Sequence, residues 1–378
     1  MTDSQRVPFI DLRSQTASLR REIEAAWSGC LERCDFILGS ETQRFEAEYE
    51  EFLGARHTIG VGSGLEALIL AMEALGVSPG DVCIVPANTF VATPLAVSRL
   101  GARVVWCDVD ADSRLMTAET LERALDVAGK PAAVLPVHLC GRSVDPEVFQ
   151  RCAEIGVPVI EDAAQSHGAR FSDGGVTGTR GALGCFSFYP GKNLGACGEG
   201  GMVVTNSTEY ARKIRMLRDW GAEQKYQHVL KGYNYRLEGL QGAVLRVKLK
   251  YLESWTEGRR AAASRYDKLL AGSDYSTPVA LPHNRHVYHV YAIRTSNRQA
   301  VQESLQAQGV QTGIHYPTPV HLLPAHEDLG YRQGQFPHAE LAADEVLSLP
   351  MFPELTEAQT SQVADALLSV TARTSAVG

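Results

Sequence analysis

Along most of the chain, short runs that are apolar at nearly every position alternate with longer stretches in which apolar residues recur every three or four positions. The runs HTIGV (57–61), VCIVPA (82–87), ARVVWCDVD (102–110), AAVLPVHL (132–139), VPVIED (157–162) and GGMVVTN (200–206) read as strands covered on both faces. Between them, Leu65, Leu68, Ile69, Met72 and Leu75 mark one helix, AETLERALD and DPEVFQRCAEIG two more. TEYARKIRMLRDWG is a fourth, with Ile214 and Leu217 toward the core. Such β-α repetition predicts an α/β fold with a mostly parallel central sheet under helices.

The flanking patterns differ. An amphipathic helix opens the chain, with Leu19, Ile23, Trp27 and Leu31 on one stripe. A long helix follows residue 236, where Leu237, Leu240, Val244 and Val247 recur at helical spacing, and it ties two domains together. We therefore expect a large domain over residues 1–245 and a smaller C-terminal α+β domain over 246–378. From about Ser254 the smaller one carries a helix, a strand HVYHVYAIRT, a helix AVQESLQAQG, a loop GIHYPTPVHLLPA and a closing helix TEAQTSQVADALLSV.

Length agrees with two domains, since 378 residues is more than one unit of ~150 residues. A formal charge of -8 gives no electrostatic footprint for nucleic acid. Eight cysteines without close pairing imply reduced thiols and a cytoplasmic location. No apolar run approaches the ~20 residues of a membrane span. Two spacings invite a metal reading: Cys30 with Cys34, and His283 with His286 and His289. Two ligands do not make a site, and period-two alternation in a strand would put His286 and His289 on opposite faces, so no metal is expected.

Three stretches carry candidate chemistry. FSFYPGKNLGACGEGG (186–201) delivers one lysine, Lys192, among five glycines that clear bulk around it. It is not a nucleoside-triphosphate loop, because six residues separate Gly184 from Gly191 and Asn193 stands where that motif has a hydroxyl. A partly buried lysine among apolar residues loses its proton more easily, which suits attack on a carbonyl; a surface lysine in a flexible loop is the plain alternative. Upstream, VPVIEDAAQSHGA ends a buried strand at Glu161 and Asp162 before a helical pattern begins. A carboxylate at that carboxyl end could pair with the pyridine nitrogen of pyridoxal phosphate, or simply cap the helix. Third, HTIGVGSGLEALILAMEALG runs from a strand through Gly60, Gly62, Ser63 and Gly64 into a helix, the outline of a cup for a phosphate dianion. Its G-x-G-x-G spacing departs from the dinucleotide fingerprint.

Together these stretches resemble the nucleotide-sugar aminotransferases of the DegT/StrS group, pyridoxal-phosphate-dependent transferases of fold type I (the aspartate aminotransferase fold). The resemblance runs from ILGSETQRFEAEYEEFLG through ANTFVAT, PVHLCG, EDAAQSHGA, FSFYPGKN, GEGG and GYNYRLEGLQGAVLRVKL to GIHYPTPVHLLPA and LSLPMFPELT. It implies that Lys192 forms the Schiff base and later moves protons as the catalytic residue. It also implies that Asp162 meets the pyridine nitrogen, Gln165 the ring oxygen and Phe90 the ring face, while Ser63, Gly64, the amide of Leu65 and Ser187 hold the phosphate with Asn234 from the partner of a homodimer. Leu65 departs from the pattern, which has threonine there, so a hydroxyl contact to phosphate is lost. The implied reaction takes nitrogen from glutamate through pyridoxamine phosphate to a keto sugar on a nucleoside diphosphate. The Y-P-G-K-N-L-G-A loop is similar to members acting at C3, commonly on a dTDP-3-keto-6-deoxyhexose. Tyr189, Tyr226 and His315 are the implied sugar contacts, with the partner chain as an alternative source of the last two.

Alternatives are a C4 or UDP/GDP-sugar aminotransferase of the same family, a non-enzymatic regulator that keeps the fold, the sister dehydratases, and an NAD-dependent dehydrogenase. The dehydratases carry histidine where this chain has Lys192. The dehydrogenase reading rests on Gly60 to Gly64 with Asp81 downstream, and leaves the lysine loop without a purpose.

Overall fold

The computed structural model describes residues 6–282 and 284–375. In chain order the elements are α1 (Leu12–Arg33), α2 (Ser40–Leu53), β1 (His57–Val61), α3 (Gly64–Leu75), β2 (Val82–Pro86), α4 (Ala92–Arg99), β3 (Arg103–Cys107), α5 (Ala118–Ala128) and β4 (Ala133–Val134). Next come α6 (Pro146–Glu154), β5 (Ile160–Asp162), β6 (Arg170–Phe171), β7 (Leu183–Ser187), β8 (Gly201–Thr205), α7 (Thr208–Arg218), β9 (Ala222–Gln224), β10 (Gln227–His228) and α8 (Gly239–Leu249). The remainder is α9 (Leu252–Leu269), β11 (Asn284–Arg285), β12 (Tyr291–Arg294), α10 (Arg298–Ala307), α11 (Pro337–Glu345), β13 (Val346–Leu349) and α12 (Glu357–Ser375).

Strands β3, β2 and β4 form a parallel sheet. Parallel bridges from Val134 to Val159 and from Val137 to Asp162 continue it to β5, which pairs in parallel with β7. β8 then runs antiparallel to both β7 and β1, so it alone is reversed. The carboxyl ends of β1, β2, β5 and β7 consequently lie along one edge, where open α/β sheets bind their ligands. Successive side chains of one strand face opposite layers: Cys83 and Val85 join the core beneath α3 and α7, whereas Ile84 joins the core with α5 and α6. Because both faces are covered, the strands read as unbroken apolar runs.

β12 and β13 pair antiparallel with α9, α10 and α12 around a separate core that includes Tyr266, Ile293, Leu347 and Leu367, and Val7 packs there too. The expected division at 245/246 falls inside α8. Among the described residues no helix is long and apolar enough to cross a membrane.

Four local expectations differ from the structure. On α1 the buried positions are Gln15, Leu19, Ile23 and Cys30, while Leu31 is 61% exposed. A strict four-residue step turns about 40° too far each time against a 3.6-residue helix, so the stripe has left the buried face by Leu31. The helix after residue 236 ends at Leu249 and the helix expected from about Ser254 already starts at Leu252, so the break falls at Lys250 and Tyr251. No helix follows Asp162; residues 163–169 make tight turns, so helix capping is not the role of that carboxylate. HVYHVYAIRT is a strand only from Tyr291, since Tyr288 takes a left-handed φ of 43° that ends any extended run before it.

Candidate active site

β7 ends at Ser187, and the chain loops through Lys192 before returning as β8. Phe188 N donates to Gly200 O and Ala196 N to Phe188 O, both at 2.8 Å, which pins the loop's two limbs together. α8 holds it from behind: Gln241 Oε1 accepts from Cys197 N at 3.0 Å, and Lys248 Nζ donates to Gly195 O at 2.7 Å. Gly195 has no room for a side chain, because a Cβ would lie 2.3 Å from Pro190 O. Lys192 N donates to Tyr189 O at 2.8 Å, closing the turn that presents the lysine. Burial pulls the Lys192 ammonium down to about 8, and the Asp162 carboxylate pulls the other way.

Asp162 is buried at the end of β5. Its Oδ2 accepts from Thr93 Oγ1 at 2.7 Å and its Oδ1 from Ala164 N at 3.1 Å. Since the Thr93 proton goes to Asp162, the Thr93 oxygen accepts from Thr89 Oγ1 at 2.9 Å, a two-hydroxyl relay into one carboxylate. The neighbouring Glu161 has a different fate. Its oxygens accept from the amides of Gly178, Arg180 and Gly181 and from His138 Nε2, so it staples the sheet and has no capacity left for chemistry.

Gln165 Oε1 accepts from Cys140 N at 2.7 Å, and its Nε2 donates to Tyr316 Oη at 3.0 Å. An amide proton can only face the oxygen, so the orientation of this side chain is fixed. The Tyr316 ring lies 5.3 Å from that of Phe90, which is half exposed at the carboxyl end of β2. Three imidazoles surround Lys192 electrostatically. His167 is pushed down to about 3, His315 to about 4 and His289 well below its ordinary value, each by burial with the Lys192 charge adding to it. Asn193 donates to Val287 O and therefore offers Oδ1 to His289 Nδ1, at 3.1 Å. His315 Nδ1 faces Ser348 Oγ at 3.0 Å.

At β1 the strand, turn and helix start expected to form a phosphate cup are present. Ser63 is the N-cap of α3, accepting from Glu66 N at 3.2 Å. Gly64 packs against Ser187 so closely that a Cβ would lie 2.6 Å from that of Ser187. The amides of Gly64 and Leu65 have no hydrogen-bond partner among the described residues. Leu65 turns its side chain against the α3 core. Beside these amides stands Glu66, whose carboxyl is raised to about 7 by burial and whose Oε2 is buried without a partner.

The structure thus gathers Lys192, Asp162, Gln165, Phe90, Ser63, Gly64, Leu65, Ser187 and His315 along one edge of the sheet. Tyr226 is 82% exposed on the β9–β10 hairpin, and Asn234 is exposed in a bridge to Asp219, one residue before Tyr235, whose carbonyl accepts from Gly62 N at 3.0 Å. Tyr189 sits in the lysine loop and is exposed. Thr93, Thr89, Tyr316 and Glu66 were not singled out from sequence; of these only Glu66, an acid in the first turn of the cup helix, carried a local signal. Among the described residues no group of three His, Cys, Asp or Glu side chains could hold a metal; His283 lies outside them, and Cys30 instead turns its thiol toward Gly239 O.

These residues fit pyridoxal phosphate. Two free helix amides meet a cradle that a Cβ would fill, an anchored carboxylate lies beyond a half-exposed aromatic ring, and one amine is depressed toward neutrality. Comparison with known proteins agrees. The sequence profile of the DegT/DnrJ/EryC1/StrS aminotransferase family matches residues 17–368. The chain is 42% identical to a dTDP-3-amino-3,4,6-trideoxy-alpha-D-glucose transaminase of Streptomyces venezuelae, over 97% of this chain and 96% of that one. It is also 42% identical to a pleiotropic regulatory protein of Geobacillus stearothermophilus, over 95% and 97%. The crystal structure of S. venezuelae DesV in complex with a ketimine intermediate superposes with a TM-score of 0.93 at 42% identity, covering 97% of this chain and 98% of that one.

Proposed function

The chain belongs to the DegT/DnrJ/EryC1/StrS aminotransferase family, and from that membership we propose that it moves an amino group from glutamate to C3 of a dTDP-3-keto-6-deoxyhexose. It is a transaminase and takes pyridoxal phosphate. The observation that carries the reading is Lys192, drawn down to about 8 and opposed by Asp162. The Streptomyces venezuelae relative, named for a dTDP-linked 3-amino sugar, supports C3 and dTDP over a C4 or UDP/GDP sugar.

When bound, the cofactor supplies an electron sink for the carbon that loses its proton. The chain supplies the rest. Lys192, near neutrality, would be the nucleophile toward the cofactor's aldehyde carbon, and its Nζ would hold and return the substrate proton. Asp162, fixed by Thr93 and the Ala164 amide, would meet the ring nitrogen. Gln165 would face the ring oxygen and Phe90 would cover the ring. Ser63, Gly64, the Leu65 amide and Ser187 would hold the phosphate. His315, kept neutral with Nδ1 at Ser348, offers Nε2 to a sugar hydroxyl, and Tyr189 offers its phenol.

We read the working unit as a homodimer in the cytoplasm. Tyr226 on the β9–β10 hairpin and Asn234 in the bridge to Asp219 are both exposed, as residues lent to a partner's cofactor phosphate and sugar would be. The free cysteines, two of them exposed, suit a reducing compartment.

The test is the visible spectrum of purified protein with the cofactor, for wild type and Lys192→Ala, followed by keto-sugar nucleotides. A band near ~420 nm that glutamate bleaches, that dTDP-3-keto sugars restore, and that the variant lacks is the expected result. Restoration by 4-keto sugars alone would overturn the C3 assignment. Absence of any band in wild type would transfer weight to the regulatory reading that the Geobacillus relative's name suggests.

A further inference from the structure

Bordering the site at Cys140, His315 and Tyr316 lies a cavity of about 20 Å³, lined also by Arg114, Arg142, Asn88 and the α11 alanines Ala339 and Ala342. Both arginines are buried, Arg142 to 2% and Arg114 to 7% exposure. Arg114 Nη2 donates to Ala292 O at 3.1 Å and Arg142 Nη2 donates to Ser113 O, but Arg142 Nε and Nη1 are buried with no partner. Among the described residues neither guanidinium has a carboxylate within ion-pair distance. The nearest acids are committed elsewhere. Asp110 accepts from the amides of Asp112 and Ser113, and Glu345 lies 4.0 Å from Arg294. His286 beside them is held neutral by burial and by the fields of Arg142, Arg260 and Arg114, so it adds no further positive charge.

We propose that this cavity is a binding site for one small monovalent anion of chloride size, held between the guanidiniums of Arg114 and Arg142. A guanidinium does not lose its proton in a protein, and a buried unpaired charge is strongly unfavourable. Water can satisfy the orphaned N–H groups but not the two like charges. The space of about 20 Å³ has room for water-sized occupants, among which a halide is the one that also carries the missing negative charge. The α11 residues of the lining are alanines, which offer no side-chain acceptor. Occupancy also bears on the candidate active site, because the same Tyr316 and Cys140 that border the cavity hold Gln165.

The test compares thermal midpoints of the holoenzyme in sodium chloride, bromide, acetate and gluconate at equal ionic strength. Chloride and bromide should raise the midpoint saturably by about 2 °C or more over gluconate, and Arg142→Gln should abolish the increment. Equal midpoints in chloride and gluconate, an undiminished increment in Arg142→Gln, or a rise with acetate alone would each overturn the halide site. Should Arg142→Gln not fold, wild-type crystals soaked in bromide decide: an anomalous peak between the two guanidiniums supports the site, and its absence overturns it.

Discussion

Thr93 Oγ1 lies 2.7 Å from Asp162 Oδ2, and the two residues are 69 positions apart in the chain. The hydroxyl comes from the first turn of α4 and the carboxylate from the end of β5, so the bond ties the segment carrying Phe90 to the sheet edge. A charge-assisted hydrogen bond of this kind contributes about 1.5–3 kcal/mol. Thr93→Val keeps the shape, removes the bond and leaves Thr89 without its acceptor. We expect kcat to fall by roughly tenfold or more, with a spectrum showing cofactor still bound; an unchanged kcat would mean that Asp162 is oriented by the Ala164 amide alone.

Lys192 sets a pH dependence before any cofactor is bound. Its folded value of about 8 lies below the ordinary 10.5, so the unfolded chain holds more protons between those limits. The contribution to stability therefore rises with pH across that window and is least below about 8. The same deprotonation exposes the nucleophile. Cofactor capture by the apoenzyme, followed by stopped-flow absorbance, should accelerate with pH and level off above about 8; a rate flat across that range would show that another group limits capture.

Glu66 acts with the opposite sign. A carboxyl raised to about 7 from 4.5 is bound to its proton in the folded state where the unfolded chain has released it. Its stabilising contribution is complete below about 4.5 and is lost as pH rises through about 7. Above that pH it also places a negative charge beside a phosphate dianion. Glu66→Gln should remove this loss from apoenzyme thermal melts and should slow cofactor dissociation above pH 7, with little change at pH 5.5.

Leu65 occupies the N-terminal turn of α3 with its backbone amide free and its side chain turned to the core. Leu65→Thr adds a hydroxyl within the cup. At about 1.5–3 kcal/mol for a bond to a charged group, retention of the cofactor should improve roughly tenfold to a hundredfold. Equilibrium dialysis would read this directly, and equal dissociation constants for the two proteins would show that the backbone amides alone hold the phosphate.

The order of strands and helices, the lysine loop and the cup were all legible in the sequence, because each is a local pattern: apolar periodicity, a glycine cluster, a capping serine before an apolar helix. Where local reading failed, a competing local term was at work, such as the helical drift that exposes Leu31 or the left-handed Tyr288 that cuts a strand short. The partners that complete the site carry no such pattern. Gln165 meets Tyr316 across 151 positions, Lys248 reaches the lysine loop across 53, and Arg114 and Arg142 share one cavity from separate loops. Sequence alone determined which groups exist and which elements carry them, since backbone preference and burial pattern act over a few residues. Only the tertiary structure decided which carboxylate is anchored, which amine is drawn toward neutrality and which charges lack a counter-ion, because burial and neighbouring fields are set by chain segments that meet only once the sheet has formed.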